Sequence, residues 1–214
     1  MSARQKRPDP EPKPSLRISH IVYGRRSHKN RVEYLVDEKS DQYKIPEEVV
    51  LIRWRQRKHA TYSFSGDRLG PHLWRALAAV LGKDCSQWPK RMTEEHLNAT
   101  RDSWKANETC KEYFNSLPAV ATIEALWEIC GPVKLQLLID RHQDPSVFGV
   151  PDLFLFARHK TSSKKLMGRF VEVKKPEESL SDGQREEIAF MNEIGLHSRC
   201  IRLIERSHAD YARR

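Results

Sequence analysis

The sequence predicts an α/β fold, a mixed central sheet flanked by helices, and three observations carry that prediction. The last third reads strand, strand, helix, strand, with two short apolar runs, a capped helical stretch and a final apolar run. Helical stretches with their own start and stop signals precede it. At 214 residues, 38% hydrophobic and 31% charged, the chain can bury one good core beneath a highly charged surface.

Taken in order, residues 1–14 carry prolines at 8, 10, 12 and 14 among charges, a composition that predicts a disordered tail. Ile18, Ile21 and Val22 precede a turn at Gly24-Arg25-Arg26, after which Val32, Tyr34 and Val36 alternate with polar residues. That pattern predicts a hairpin with an exposed basic tip of Arg25, Arg26, His28, Lys29 and Arg31. Pro46-Glu47-Glu48 opens a helix to about Lys58, with proline and acids where a helix start favours them. Arg53, Arg55, Arg57 and Lys58 on it form a second basic cluster. Pro71 introduces a helix over Leu73 to Leu81 that Gly82 ends. Residues 83–103 are polar and give no clear signal. Trp104 to Asn115 and Ala119 to Cys130 have helical spacing, the latter with Ile123, Leu126, Trp127 and Cys130 on one face.

Leu153 to Phe156 is an apolar run of strand length, joined by a polar connection over His159 to Lys165 to a second run, Arg169 to Val173. The second is rich in β-branched and aromatic residues, which favour strands. Ser181-Asp182-Gly183-Gln184 has capping-box spacing and starts a helix to Ile194, where Gly195 stops it. Arg199 to Ile204 is the last strand. No internal repeat is present.

Lysine and arginine number 38 against 29 acids, a net charge of +9 and a pI near 9.5, which favours polyanionic partners. The four cysteines (Cys85, Cys110, Cys130 and Cys200) include no pair at CxxC spacing, which argues against a zinc ribbon and gives no disulfide framework. A reducing, intracellular compartment is expected, the nucleus if the source is eukaryotic. No apolar run nears the roughly 18 residues a membrane span needs. Histidines (His59, His72, His142 and His159 among them) lack metal spacing and are assigned no chemistry.

Hydrolysis of a phosphodiester needs hard oxygen ligands converging on a divalent cation, and a side-chain cation to orient water or stabilise developing charge. Asp152 stands at the entrance of one predicted strand, after Gly149-Val150-Pro151. Glu172 and Lys174 are two apart on the next, so the two-residue period points both to one face. If the strands pair, that face holds two carboxylates and an ammonium, with the Val173 carbonyl as a further ligand. Spacing alone fits a solvated charge pair better than a site. The flanking Phe170, Val171 and Val173 instead place Glu172 in a strand that reads as buried, where a carboxylate needs a partner.

Gly149-Val150-Pro151-Asp152-Leu153, Phe170-Val171-Glu172-Val173-Lys174 and Leu180-Ser181-Asp182-Gly183-Gln184 together resemble, in order, spacing and apolar framing, the VRR-NUC branch of the PD-(D/E)XK nucleases. Gly131-Pro132-Val133 and the Pro46-Glu47-Glu48-Val49 helix extend the resemblance toward the Fanconi-associated nucleases. It runs from about Leu16 to Glu205, strongest after Cys130. The resemblance implies a restriction-endonuclease-like sheet and a magnesium- or manganese-dependent DNA nuclease. It further implies action on 5′-flapped or branched DNA in repair. It makes Asp152 and Glu172 metal carboxylates and Lys174 the catalytic lysine, and Gln184 either a site residue or a plain helix cap. An acid expected after a glycine at the start of an earlier helix maps to Asp67 in Ser65-Gly66-Asp67, with Glu124 and Glu128 as rivals. Lys175 stands where the family has glycine, a replacement that either crowds the loop or adds a phosphate contact.

The expected organisation is therefore a tail over 1–14, a basic, partly helical DNA-binding portion over 15–117 and a VRR-NUC-like nuclease domain over 118–208. Arg25, Arg26, Lys29, Arg31, Arg53, Arg55, Arg57 and Lys58 are its candidate phosphate contacts, with Lys160, Lys164 and Lys165 beside the active strand. Two other readings stay open: a degenerate nuclease fold that binds branched DNA without cutting, and a nuclease of restriction or mobile-element defence.

Overall fold

The computed structural model describes residues 21, 22, 24–29, 31–37, 39, 41–81, 88, 95, 96, 115–144, 146, 147, 149–162 and 166–205. The tail expected over 1–14, most of the helix expected over Trp104 to Asn115, and Lys164 and Lys165 lie outside the described residues. In chain order the elements are β1 (Ile21–Val22), β2 (Arg25–His28), β3 (Arg31–Leu35), β4 (Tyr43–Lys44), α1 (Pro46–Arg55), β5 (Tyr62–Arg68) and α2 (Leu73–Leu81). They continue with α3 (Val120–Arg141), β6 (Leu153–His159), β7 (Leu166–Lys174), α4 (Asp182–Glu193), β8 (Ser198–Arg202) and β9 (Ile204–Glu205).

The expected α/β class holds. The central sheet runs β5-β6-β7-β8, with β5 and β7 antiparallel to β6 and β8 parallel to β7. The sheet is covered on both sides, which is why the middle of β6 reads as unbroken Leu-Phe-Leu-Phe rather than alternating. Phe154, Phe156 and Phe170 point into a core shared with Leu73, Trp74 and Leu77 of α2 and with Ile123, Leu126 and Leu138 of α3. Leu153, Leu155, Val171 and Val173 point the other way, onto Val49, Val50 and Trp54 of α1. The Trp54 indole N–H donates to the carbonyls of Ser65 (2.7 Å) and Phe156 (3.2 Å), fixing α1 across β5 and β6.

Five expectations change. The hairpin turns at Lys29, which has a positive φ of 47°, so Arg25 and Arg26 lie within β2 rather than in the turn. Ile21 and Val22 pair instead with Ile204 and Glu205 of β9. Ser65-Gly66-Asp67 starts no helix: it lies inside β5, an edge strand whose Gly66 leaves no room for a side chain, since a Cβ there would stand 2.5 Å from the Phe154 carbonyl oxygen. The stretch from Ala119 does not end at Cys130. Gly131 (φ 65°) kinks the chain, Pro132 restarts it, and a second helical segment follows with Leu135, Leu138 and Ile139 buried on one face. The start of α1 and all of α2 fall where expected, but α1 stops at Arg55, three residues short of Lys58.

Of the described residues before 117, β5 belongs to the central sheet and α1 to the layer that covers it. Among the described residues, no helix is long and apolar enough to cross a membrane. Cys130 is buried, Cys200 half-buried, and both are free thiols.

Candidate active site

The register of the sheet creates the site. Leu153 of β6 pairs with Val171, so Glu172, Val173 and Lys174 run past the start of β6 while still held by Cys200, Ile201 and Arg202 of β8. Asp152, one residue before β6, therefore falls opposite Glu172. Residues opposite each other in a sheet point to one face, so the two carboxyls and the Lys174 ammonium share it. Asp152 Oδ2 accepts the Val173 N–H at 2.7 Å. In a strand the carbonyl of a residue points the same way as its N–H, which turns the Val173 carbonyl toward the same gap.

Glu172 and Lys174 are only 3% and 6% exposed, so their charges depend on one another. Lys174 Nζ lies 2.9 Å from Glu172 Oε1 and 3.6 Å from Glu178 Oε1. Gln184 Nε2 donates to the same Glu172 Oε1. Gln184 both caps its helix and bonds the Glu172 carboxyl. Its Oε1 accepts the Ser181 N–H and its own N–H is capped by Ser181 Oγ, while its amide reaches the site.

Electrostatics mark the same spot. The Asp152 carboxyl is pushed up to about 7, first by burial and then by the Glu172 charge, with Glu47 adding and the Val173 N–H and Lys174 opposing. Burial likewise raises Glu172, against the hydrogen bond and charge of Lys174, with Glu178 and Glu47 reinforcing the rise. Burial works to lower the Lys174 ammonium, but Glu172, Glu178 and Asp152 together outweigh it and hold it above its ordinary value. An excess of buried carboxyl around one ammonium is what a divalent cation with a preference for oxygen would neutralise, so the donor set fits such a cation. Among the described residues no three histidine, cysteine, aspartate or glutamate side chains are close enough to form a metal-binding group as they stand.

The acids that bear on the site include two that sequence reasoning passed over, Glu47 and Glu178. Glu47 was explained by its helix start. The packing of α1 on β6 and β7 brings that start within reach of the carboxyls. Glu178 lies four residues beyond Lys174, in the loop after β7. Asp67, expected as a metal ligand, is used elsewhere. Its Oδ1 accepts the Arg68 N–H (2.9 Å) and its Oδ2 the Ala119 N–H (3.0 Å), tying the end of β5 to the start of α3. Glu128 pairs with Arg158 at 3.0 Å, toward the far end of β6, and Glu124 lies one turn before it. Lys160 is at that far end too, donating to the His59 carbonyl.

The basic clusters divide. Arg25, Lys29 and Arg31 are exposed on the β2–β3 ribbon, and Lys58 and Lys175 are exposed elsewhere. Arg26 holds the ribbon together, bonding Glu33 at 2.9 Å and covering the Tyr43 ring at 4.5 Å. Arg53 donates to the Val36 carbonyl (2.6 Å) and Arg55 to that of Gly66 (2.6 Å). Arg57 stacks over Trp54 and Phe64, where burial lowers its guanidinium below the ordinary value.

A family model described as the VRR-NUC domain matches residues 91–202, which include Asp152, Glu172, Lys174 and Gln184. No curated protein matches the chain by sequence. Among solved structures, the crystal structure of paFAN1 bound to 2-nt 5′-flap DNA with a gap is similar, at 12% identity over 80% of this chain and 36% of that one, with a TM-score of 0.45. A second, of paFAN1 bound to 1-nt 5′-flap DNA with a gap, gives 13% identity over 72% and 34%, also with a TM-score of 0.45. This chain thus spans about a third of the length of those chains.

Proposed function

The chain belongs to the VRR-NUC domain family, and from that premise we propose that it is a metal-dependent nuclease that hydrolyses DNA phosphodiester bonds. The observation that carries this reading is the convergence of Asp152, Glu172, Lys174 and Gln184 at the point where β7 outruns β6. Branched or 5′-flapped DNA as the substrate, and a place in DNA repair, are part of the proposal and are supported by the motif resemblance.

Asp152, Glu172 and the Val173 carbonyl would hold magnesium or manganese, with Glu47 the further acid on that side in place of Asp67. When bound, the cation neutralises phosphate oxygens and makes a water more acidic. The chain's own residues do the rest. Val173 N–H fixes one Asp152 oxygen, so the other is aimed by the backbone of a rigid strand. Gln184 and Lys174 fix one Glu172 oxygen in the same way. Lys174 keeps its proton through its acidic neighbours, and a buried ammonium beside the reacting phosphate stabilises charge that develops in the transition state. Arg25, Lys29 and Arg31 on the exposed ribbon, with Lys58 and Lys175, supply phosphate contacts that position the duplex without reading its sequence.

Manganese binding, followed by calorimetry for the wild type and for Asp152→Ala, tests the reading. A single site lost in the variant, together with loss of DNA cleavage, is the expected outcome. Equal metal affinity in both, or cleavage retained by Asp152→Ala, contradicts it.

A further inference from the structure

Away from the carboxyl pair, the most deeply buried charged group among the described residues is Glu187 on α4, 1% exposed. Its Oε2 accepts Arg141 Nε at 2.9 Å and its Oε1 lies 2.9 Å from His142 Nε2. Arg141 is the last residue of α3 and His142 its cap. Arg141 also covers the Phe190 ring of α4 at 4.6 Å, and the His142 carbonyl accepts Arg75 Nε of α2 at 3.3 Å. The end of α3 therefore meets α4 at Glu187, with α2 joined through the His142 carbonyl, immediately before the chain sets out on the loop that ends at Asp152.

The far end of that loop is pressed on the same helix. Gly149 has φ +119°, and a Cβ there would stand 3.3 Å from the Gly183 carbonyl oxygen and 3.5 Å from both Gln184 Cα and Glu187 Cβ. So α4 holds the Asp152 loop at both ends while presenting Gln184 to Glu172 one turn earlier. On its other side the loop borders a cavity of about 330 Å³ whose walls include Trp74, Arg75, His142, Gly149 and Val150. Packing on that side is incomplete, and α4 supplies the restraint.

We infer that Glu187, through His142 and Arg141, is a positioning residue that sets Asp152 against Glu172 and Gln184. It governs the rate of the chemical step rather than the grip on DNA. This rests on the nuclease reading above. Misplacing a ligand by about 1 Å costs up to about a hundredfold in rate, and loss of support behind a metal ligand weakens metal affinity about 10- to 100-fold.

The test compares wild type, Glu187→Ala, Glu187→Gln and Arg141→Met, each shown by circular dichroism to be folded at the assay temperature. Steady-state cleavage of a labelled 5′-flap DNA and calorimetric titration with manganese alone are the readouts. Expected is a fall in kcat of at least about tenfold for Glu187→Ala with KM little changed, and manganese affinity lower by a similar factor. Glu187→Gln, which keeps a partner for His142, should recover part of it. If Glu187→Ala does not fold, Arg141→Met cuts one arm of the clamp at a half-exposed position and should show the same split. Folded variants with wild-type kcat and manganese affinity overturn the inference. A wild type that binds manganese without cutting DNA removes the nuclease reading and with it the claim on rate, and the affinity comparison still decides whether Glu187 positions Asp152. A wild type that neither cuts nor binds manganese overturns both.

Discussion

Gln184 holds two structures at once, and Ser181→Ala and Gln184→Ala separate them. Ser181→Ala removes the hydroxyl that caps α4 and leaves the Gln184–Glu172 bond in place. Losing an N-cap hydroxyl costs about 1 kcal/mol. Gln184→Ala removes the reciprocal half of the capping box and also a hydrogen bond to a largely buried carboxylate. Such a bond contributes about 1.5–3 kcal/mol, here toward the low end because Glu172 keeps Lys174, so the total is about 2–3 kcal/mol. At about 2–4 °C per kcal/mol for a chain of this size, Ser181→Ala should melt about 2–4 °C lower and Gln184→Ala about 4–12 °C lower. Activity should divide differently. Measured well below both transitions, Ser181→Ala should cut like the wild type, whereas Gln184→Ala should lose about 10- to 100-fold. Calorimetric melting and flap cleavage on the same preparations provide both numbers. Equal losses of activity in the two variants, or a Gln184→Ala melting point no lower than that of Ser181→Ala, would refute the double role.

Asp67→Ala should lower stability by about 1–2 kcal/mol in urea unfolding, because two backbone N–H groups lose their acceptor, with manganese affinity unchanged. Glu47→Gln should do the reverse, weakening manganese binding in calorimetry without loss of stability, because it removes a charge that raises both Asp152 and Glu172. Asp152 titrates at about 7 in the fold against an ordinary value of 3.8. Its neutral form therefore contributes stability that is present below about pH 4 and lost as pH rises through about 7. Glu172, also raised, acts in the same direction, and Lys174 does not titrate in that window. Chelated protein should be less stable at pH 8 than at pH 5 by a few kcal/mol at most, with manganese restoring it at pH 8; a flat profile contradicts the shift. Cys130, buried with its thiol pushed up to about 12, should resist thiol reagents at pH 8 until the protein unfolds, as peptide mapping would show.

The last third was legible because local chemistry there agrees with the fold. The Ser181–Gln184 box, the doubly buried β6 and the Glu172-x-Lys174 pair each carry their geometry in a few adjacent residues. What escaped depended on distant partners. Tyr62-Ser63-Phe64-Ser65 alternates as a strand should, but its role as the β5 edge required β6, about ninety residues later, to pair with it. Asp67 matched a motif position yet went to the start of α3, because the N–H of Ala119 is in reach and the other carboxyls are better placed at the start of β6. Glu47 looked like an ordinary helix-start acid. Arg53, Arg55 and Arg57 looked like a basic face, and only the packing of α1 against β3 and β5 showed their contacts with main-chain carbonyls and aromatic rings. Likewise, Gly131-Pro132 read as a helix end because a kinked restart leaves the same local signature as a stop.

The most direct measurement of the central claim is cleavage of a labelled 5′-flap DNA in manganese by the wild type beside Glu172→Gln, which alters the carboxylate shared by Lys174 and Gln184. Metal-dependent cutting by the wild type alone is the predicted result, with both proteins folded and both retaining DNA in a gel shift. Cutting by both would remove Glu172 from the chemistry, and cutting by neither, with both shifting the DNA, would make this a fold that binds DNA without hydrolysing it.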